Sequence, residues 1–409
     1  MPKVKPFYAV RPQKQYAKDI ASLPYDVISE KEAREEFAKN PLSYFRIIRS
    51  EVNFPEGIDP YSPQVYEKGR DMIQEYQDKG YLIKDTDLAY YIYTQKVGTT
   101  SQTGFVGLVS VDDYDKDLIK KHELTRIDKE KDRFNMISTT RAHSEPVFLA
   151  YRDEKALNAI IDEVKSTTKP LYDFVSDDGV SNTLWKISDP KHAKDVEKLF
   201  MTNVDYLYIA DGHHRAKASS LTGNHFRETT GHGLKPENYD YFLAVVFPSS
   251  QLRIMPYNRV VKTSLTIDEI KKKATHFEFK ETTVSDVKEK GTFIAYMNHK
   301  AYELRFKGPY PQDADKKLDV AILQDYLLAP VLGIENPRTD KNIDFVGGIR
   351  GSEYLKKLVD NKEFDIAFIL HPTSIDELFS IADTGKIMPP KSTWFEPKLK
   401  SGLFLHLID

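Results

Sequence analysis

The sequence predicts an α+β protein of two domains, and three observations carry that reading. Apolar runs of strand length, such as Tyr241 to Phe247, are interspersed with longer stretches of helical spacing. A Gly/Thr/Ser-rich turn joins the runs Leu88 to Thr94 and Gly104 to Val111 into a hairpin, while other runs are separated by helices. At 409 residues, 40% hydrophobic and 12% aromatic, the chain can fill two cores. Hairpins and crossovers together favour mixed sheets over a doubly wound parallel sheet.

The elements follow in order. Ser29 as N-cap with Glu32 three residues on forms a capping box that opens a helix ending before Asn40-Pro41. Tyr44 to Arg49 reads as a strand, and Tyr66 to Lys79 as a helix stopped by Gly80. Further strands are expected at Pro146 to Tyr151, Tyr206 to Ala210 and Tyr241 to Phe247, with helices at Glu154 to Lys165, Lys191 to Phe200 and Ala216 to Leu221. Beyond Thr266 the pattern restarts with a helix near Ile267 to Ala274 and a hairpin from Thr292 to Phe306. A helix at Asp319 to Leu328, a strand at Phe364 to Leu370 and a helix at Ile375 to Ala382 complete it. The boundary is placed near 265, giving domains 1–265 and 266–409, the second contributing its 388–398 loop to the site of the first.

Composition narrows the function. Fifty-nine Lys and Arg against 62 Asp and Glu leave a net charge of −3, which disfavours nucleic acid as a partner. The absence of cysteine excludes disulfides and thiolate chemistry and suits a reducing compartment. The first residues lack a signal-peptide pattern, and no apolar run approaches the ~20 residues that span a bilayer. A cytoplasmic protein without a membrane partner is expected, and a homo-oligomer is compatible with this composition.

The strongest local feature is Tyr206-Leu-Tyr-Ile-Ala210 running into Asp211-Gly212-His213-His214-Arg215, a strand, a glycine turn and a helix start. N–H groups of a first helical turn have no intrahelical acceptor and sit at the positive end of the helix dipole, so they suit phosphate oxygens. Arg215 can grip two such oxygens, and the two imidazoles can hold protons near neutral pH. The plainer reading makes Asp211 a helix cap and the histidines ordinary residues; their concentration at one strand end favours a site. Asp211 is also a candidate metal ligand.

A second cluster runs from His122-Glu123 through Arg126, Lys129 and Arg133 to Arg141. Charge runs are usually solvated helix faces, yet the spacing of Glu123, Arg126, Lys129 and Arg133 could gather a base and phosphate-neutralising cations on one face. A third, Tyr25-Asp26 before the first helix, offers a carboxylate that could take a hydroxyl proton. The proline-stiffened loop Met388-Pro-Pro-Lys391-Ser392-Thr393 adds a cation and hydroxyls. No Walker loop, complete dinucleotide fingerprint or His-Glu-x-x-His occurs, so any nucleotide is held by a less common cradle.

In the order of these same elements the sequence resembles, over nearly its whole length, the bacterial and archaeal family known as domain of unknown function 1015. Leu-Pro-Tyr-Asp-Val-Ile-Ser at 23 to 29, His-Glu-x-Thr at 122 to 125, Lys-x-Lys-Asp-Arg at 129 to 133, Asp-Gly-His-His-Arg at 211 to 215 and Met-Pro-x-Lys-Ser-Thr at 388 to 393 carry the resemblance. The Asp-Gly-His-His-Arg element is also similar to the phosphate motif of ParB/sulfiredoxin-like folds, including free serine kinases that make O-phosphoserine. That similarity implies a ParB/sulfiredoxin-like core and a nucleotide phosphate bound at Gly212 to Arg215, with ATP or ADP as donor.

The expected function is therefore phosphoryl transfer to the hydroxyl of a small metabolite, most simply L-serine, with Mg²⁺. Asp26 or Glu123 is the expected base, with His214 also catalytic. Asp211, Gly212, His213, His214, Arg215, Arg126, Lys129, Arg133, Lys391 and Thr393 are expected at the phosphates, and Tyr25 and Arg141 at the acceptor. A phosphatase on the same pocket and a non-enzymatic nucleotide- or DNA-binding module are the competing readings.

Overall fold

A computed structural model describes residues 1–230 and 237–409. The chain divides into two compact units, residues 1–252 with 397–409, and residues 253–396. The division differs from the expected boundary at 265 because the strand Tyr257–Val261 pairs on both edges with strands of the second unit. The chain also returns: Leu405 bridges Val10, Ser401 bridges Ser22, and His406–Leu407 pairs with Ala142–His143. The architecture is mixed α+β, as expected.

The first unit is built on a nine-stranded sheet. Its strands are β1 (Val4–Lys5), β2 (Tyr90–Val97), β3 (Thr100–Ser110), β4 (Ile119–Lys120), β5 (Val147–Tyr151), β6 (Tyr172–Val175), β7 (Ser181–Ile187), β8 (Leu207–Asp211) and β9 (Tyr241–Pro248). They lie in the order β4-β8-β5-β9-β3-β2-β7-β6, with β1 against β3. β2 and β3 form the expected hairpin, while β8 is parallel to β4 and β5 is parallel to β9. Ile92, Phe105, Leu149, Ile209 and Ala244 meet in its core, all at most 1% exposed.

The helices of this unit include α1 (Glu30–Lys39), α2 (Phe45–Ile48), α3 (Pro63–Asp78), α4 (Ile127–Thr140), α5 (Lys155–Thr167), α6 (Pro190–Asn203) and α7 (His213–Thr230), besides short helices at Ala17–Ile20 and Val111–Asp115. The capping box is present, Ser29 Oγ accepting from the Glu32 N–H while Glu32 accepts from the Ser29 N–H. The segment expected as a strand at Tyr44 to Arg49 is instead the short helix α2 followed by a 3₁₀ turn. Tyr44, Ile47 and Ile48 have helical i, i+3, i+4 spacing, and all three are buried in one cluster with Met72 and Tyr76 of α3. No helix among the described residues is long and apolar enough to cross a membrane.

The second unit holds a six-stranded antiparallel sheet of β10 (Tyr257–Val261), β11 (Phe277–Thr282), β12 (Thr292–Met297), β13 (Lys300–Phe306), β14 (Ile343–Gly347) and β15 (Ile366–Ile369), in the order β11-β13-β12-β15-β10-β14. Arg253–Met255 pairs with Trp394–Glu396, joining the two ends of the unit. The helix expected to Leu328 starts at Asp319 and widens to a π-helix over Gln324–Leu328.

Candidate active site

β8 is apolar until Ala210, and then a register shift between Ile209 and Asp211 re-aims the strand end. Gly212 follows at φ +93°, and α7 begins at His213. A Cβ at position 212 would lie 3.0 Å from Cζ and Nε of Arg215, so glycine is required both for its backbone angle and for the guanidinium packed against it.

Asp211 is the electrostatic centre. Its Oδ1 accepts from Lys398 Nζ at 2.6 Å, and its Oδ2 from Arg215 Nη2 at 2.7 Å. Burial pushes this carboxyl up, but Lys398 and Arg215 overcome that and hold it at about 2. Arg215 also donates through Nη1 to the Pro146 carbonyl, at the start of the adjacent β5, and its buried Nε has no hydrogen-bond partner among the described residues. Arg215 is thus committed to Asp211 and the backbone rather than poised as a two-oxygen clamp.

The two histidines have different settings. His213 is buried with its ring edge-on to His122, centroids 4.4 Å apart. Burial lowers both rings to about 3, so both are neutral at physiological pH. His214 is less enclosed, and its Nε2 accepts from the Arg126 backbone N–H at 3.1 Å, which leaves Nδ1 as the protonated nitrogen of the neutral ring. Burial lowers its pKa, opposed by Glu123, Asp26 and Glu130.

The His122 to Arg133 segment is only partly helical. Arg126 is the extended N-cap of α4, so Glu123 and Arg126 precede the helix and share no helical face with Lys129 and Arg133. This non-helical stretch is what brings His122 to His213 and the Arg126 N–H to His214. The Arg126 side chain pairs with Asp128 at 2.8 Å in solvent, away from any neutralising role at a phosphate. Lys129 Nζ meets Tyr61 Oη at 3.1 Å.

Arg133 is buried, pairs with Asp132 at 2.9 Å and Glu145 at 3.5 Å, and lies 3.8 Å from the ring centroid of Tyr25. Glu145 also accepts from the Tyr25 backbone N–H at 3.1 Å, fixing the turn that presents the exposed Asp26. Burial raises Glu145, opposed by Arg215 and Arg133. Glu145 was not singled out in the sequence, although it was legible as an acid directly preceding the buried run from Pro146. Lys398 closes the 388–398 loop expected at the site, but no local signal marked its side chain as the partner of Asp211.

Other expectations are corrected. Arg141 is the left-handed C-cap of α4; its guanidinium lies 4.1 Å from the Phe226 ring centroid and pairs with Asp409 at 2.6 Å, so it is not free for a substrate carboxylate. Lys391 and Thr393 belong to the second unit, where Lys391 is exposed with its ammonium over Tyr257. Of the 388–398 loop, Lys398 belongs to the first unit, anchored where Gln95 donates to its carbonyl at 2.9 Å. Both oxygens of Asp211 are engaged by cations, which disfavours it as a metal ligand. Among the described residues the metal-ligating groups that do converge are His122, Glu123 and His213, with donor atoms within 4.8 Å of one another.

A cavity of about 230 Å³ opens beside this network, lined by Tyr25, Asp26, Arg49, Tyr61, Lys129 and Arg133 among others. Asp26 and Glu123 show no hydrogen bond or ion pair among the described residues, so both keep free carboxylate oxygens.

Among solved structures, the chain is similar to a free serine kinase mutant in complex with AMP (13% identity, TM-score 0.37, covering 71% of this chain and 87% of that one). It is similar to SbnI with a C-terminal truncation from Staphylococcus aureus (12%, 0.38, 74% and 87%). It is also similar to a conserved hypothetical protein from Pyrococcus furiosus (15%, 0.35, 73% and 95%). None of these likenesses is close enough to carry a functional argument. No curated protein matches the sequence. The model of the family described as Protein of unknown function (DUF1015) matches residues 4–321, most of the chain, and the chain belongs to that family.

Proposed function

We propose that this protein transfers a phosphoryl group from ATP or ADP to the hydroxyl of a small metabolite, with free L-serine as the acceptor. The observation that carries the reading is the Asp211 carboxylate held between Lys398 and Arg215 at the glycine turn that opens α7, with His214 at the same turn. Phosphoryl transfer asks chiefly for positioning and for compensation of negative charge. A helix start supplies fixed N–H donors, His214 adds a neutral Nδ1–H, and the cations around Asp211 give a rigid positive field. The choice of serine rests on the resemblance of Asp-Gly-His-His-Arg to the motif of free serine kinases.

In this reading Glu123 or Asp26 takes the proton from the acceptor hydroxyl. The oxygen then bonds to the terminal phosphorus as the bond from phosphorus to the nucleotide's bridging oxygen breaks, releasing the shortened nucleotide. The cavity beside Asp26 takes the acceptor, and Lys129, held among the described residues by a tyrosine hydroxyl and ring, is the cation for its carboxylate. Mg²⁺ prefers oxygen donors, so the carboxylates of Asp26 and Glu123 fit it where the imidazoles, and Asp211 with both oxygens on cations, do not. When bound, it neutralises charge on the phosphates.

Phosphorus NMR of the protein with Mg²⁺ and ATP, then ADP, with and without L-serine, tests this. A phosphomonoester signal that requires serine and disappears in Glu123→Gln or Asp26→Asn supports the kinase, and a variant whose signal excess Mg²⁺ does not restore identifies the base. Nucleotide loss without serine indicates a hydrolase instead, and near-parental turnover in both variants removes these carboxylates from the reaction.

A further inference from the structure

The second unit contains a cavity of about 340 Å³ whose lining belongs wholly to that unit. In its wall is Arg259 of β10, 3% exposed and directly opposite Phe345 of β14. The guanidinium lies 5.1 Å from the Phe345 ring centroid and donates to the carbonyls of Tyr257 and Pro390. These fix its orientation, but no carboxylate among the described residues forms an ion pair with it. Burial draws its pKa down to about 9. The buried arginines of the first unit differ, since Arg133 faces Asp132 and Glu145, and Arg215 faces Asp211.

Two acids also line the cavity, and both are already neutralised. Asp315 pairs with Lys386 at 2.8 Å, and Asp325 with Lys316 at 3.0 Å. The exposed Arg338, also in the lining, forms no ion pair among the described residues, so the uncompensated charge of the cavity is positive. A buried charge without a counter-charge is costly, and the planar donor fork of arginine matches an oxyanion in two-point contact. Val320 and Met388 add apolar wall.

We propose that this cavity is a second ligand site, which binds the oxyanion group, phosphate or carboxylate, of a small metabolite with Arg259 as buried anchor and Arg338 as second contact. The site lies apart in sequence from the residues assigned to phosphoryl transfer and stands whether or not that assignment holds.

Isothermal titration of the full chain with inorganic phosphate, and separately with acetate, tests it in the parent, Arg259→Met and Arg338→Ala proteins. A saturable heat is expected whose affinity falls by about tenfold or more in Arg259→Met and about threefold in Arg338→Ala. Stronger phosphate binding assigns a phosphate ligand, and equal or stronger acetate binding a carboxylate. The proposal is overturned if neither anion gives a saturable heat, or if Arg259→Met binds like the parent. Should Arg259→Met fail to fold, as judged by circular dichroism, the exposed Arg338→Ala decides, and parental affinity there overturns it.

Discussion

Lys398 donates to Oδ1 of Asp211 at 2.6 Å, joining residues 187 positions apart in the sequence. The pair makes the last stretch of the chain part of the β8–α7 junction, and it is one of two cations that hold Asp211 ionised in a site where burial alone would protonate it. Replacing Lys398 by Met leaves Arg215 alone opposite the carboxylate. Asp211 is then expected to titrate above its present value of about 2, as followed by carboxyl carbon NMR. Turnover should drop by roughly tenfold or more as the fixed positive field weakens. An unchanged Asp211 titration in Lys398→Met would show that the contact has no electrostatic weight.

Gly212→Ala tests the turn itself. The substitution puts a Cβ 3.0 Å from the Arg215 guanidinium and forces an L-residue to φ +93°. Backbone strain of this kind costs roughly 1–3 kcal/mol, and relieving the contact displaces Arg215 from Asp211. Urea unfolding is expected to show a loss in that range, with turnover falling further than stability. A variant as stable and active as the parent would remove the geometric argument for glycine at this position.

The contrast between Asp211 to Arg215 and the rest of the site explains what the sequence disclosed. That element is local: strand, turn and helix start are contiguous, so patterning alone located it. Glu123 and His122 were legible as chemistry but not as geometry, because a charge run with helical spacing gives no sign that Lys121 to Arg126 stays out of the helix and meets α7. Tyr44 to Arg49 failed because a short apolar run satisfies strand length and helical spacing equally, and only packing against α3 decides. Lys398 and Arg141 depend on where the chain end returns, Lys398 meeting Asp211 and Arg141 meeting Asp409. No local signal encodes such a return.

Arg133 is expected to be the most costly single truncation in the network. It is 7% exposed and faces both Asp132 and Glu145, so Arg133→Met strands two buried acids. Breaking a buried pair from one side costs about 3–5 kcal/mol. Adding Glu145→Gln to Arg133→Met should restore part of that loss, because it removes one of the stranded charges. Denaturant unfolding of the two single variants and the double variant measures the coupling. Additive losses would mean that Arg133 and Glu145 do not act as a pair.

The buried imidazoles set the acid limit of stability. Burial lowers His122 and His213 to about 3 and His406 to about 4, and it holds His143 well below the usual histidine range. In the unfolded chain these rings take a proton near their ordinary value of 6.5. Between that pH and the depressed folded values the unfolded state binds more protons than the folded one, so stability rises with pH. The stabilisation is fully present above about pH 6.5 and is lost progressively as the pH falls toward 4 and then 3. Denaturant unfolding at constant ionic strength should therefore show stability falling by several kcal/mol from pH 7 to pH 5. His213→Asn should flatten part of that slope, since one buried ring no longer titrates. A pH-independent unfolding free energy over this interval would mean that these rings are hydrated or paired in the folded protein and not held neutral by burial.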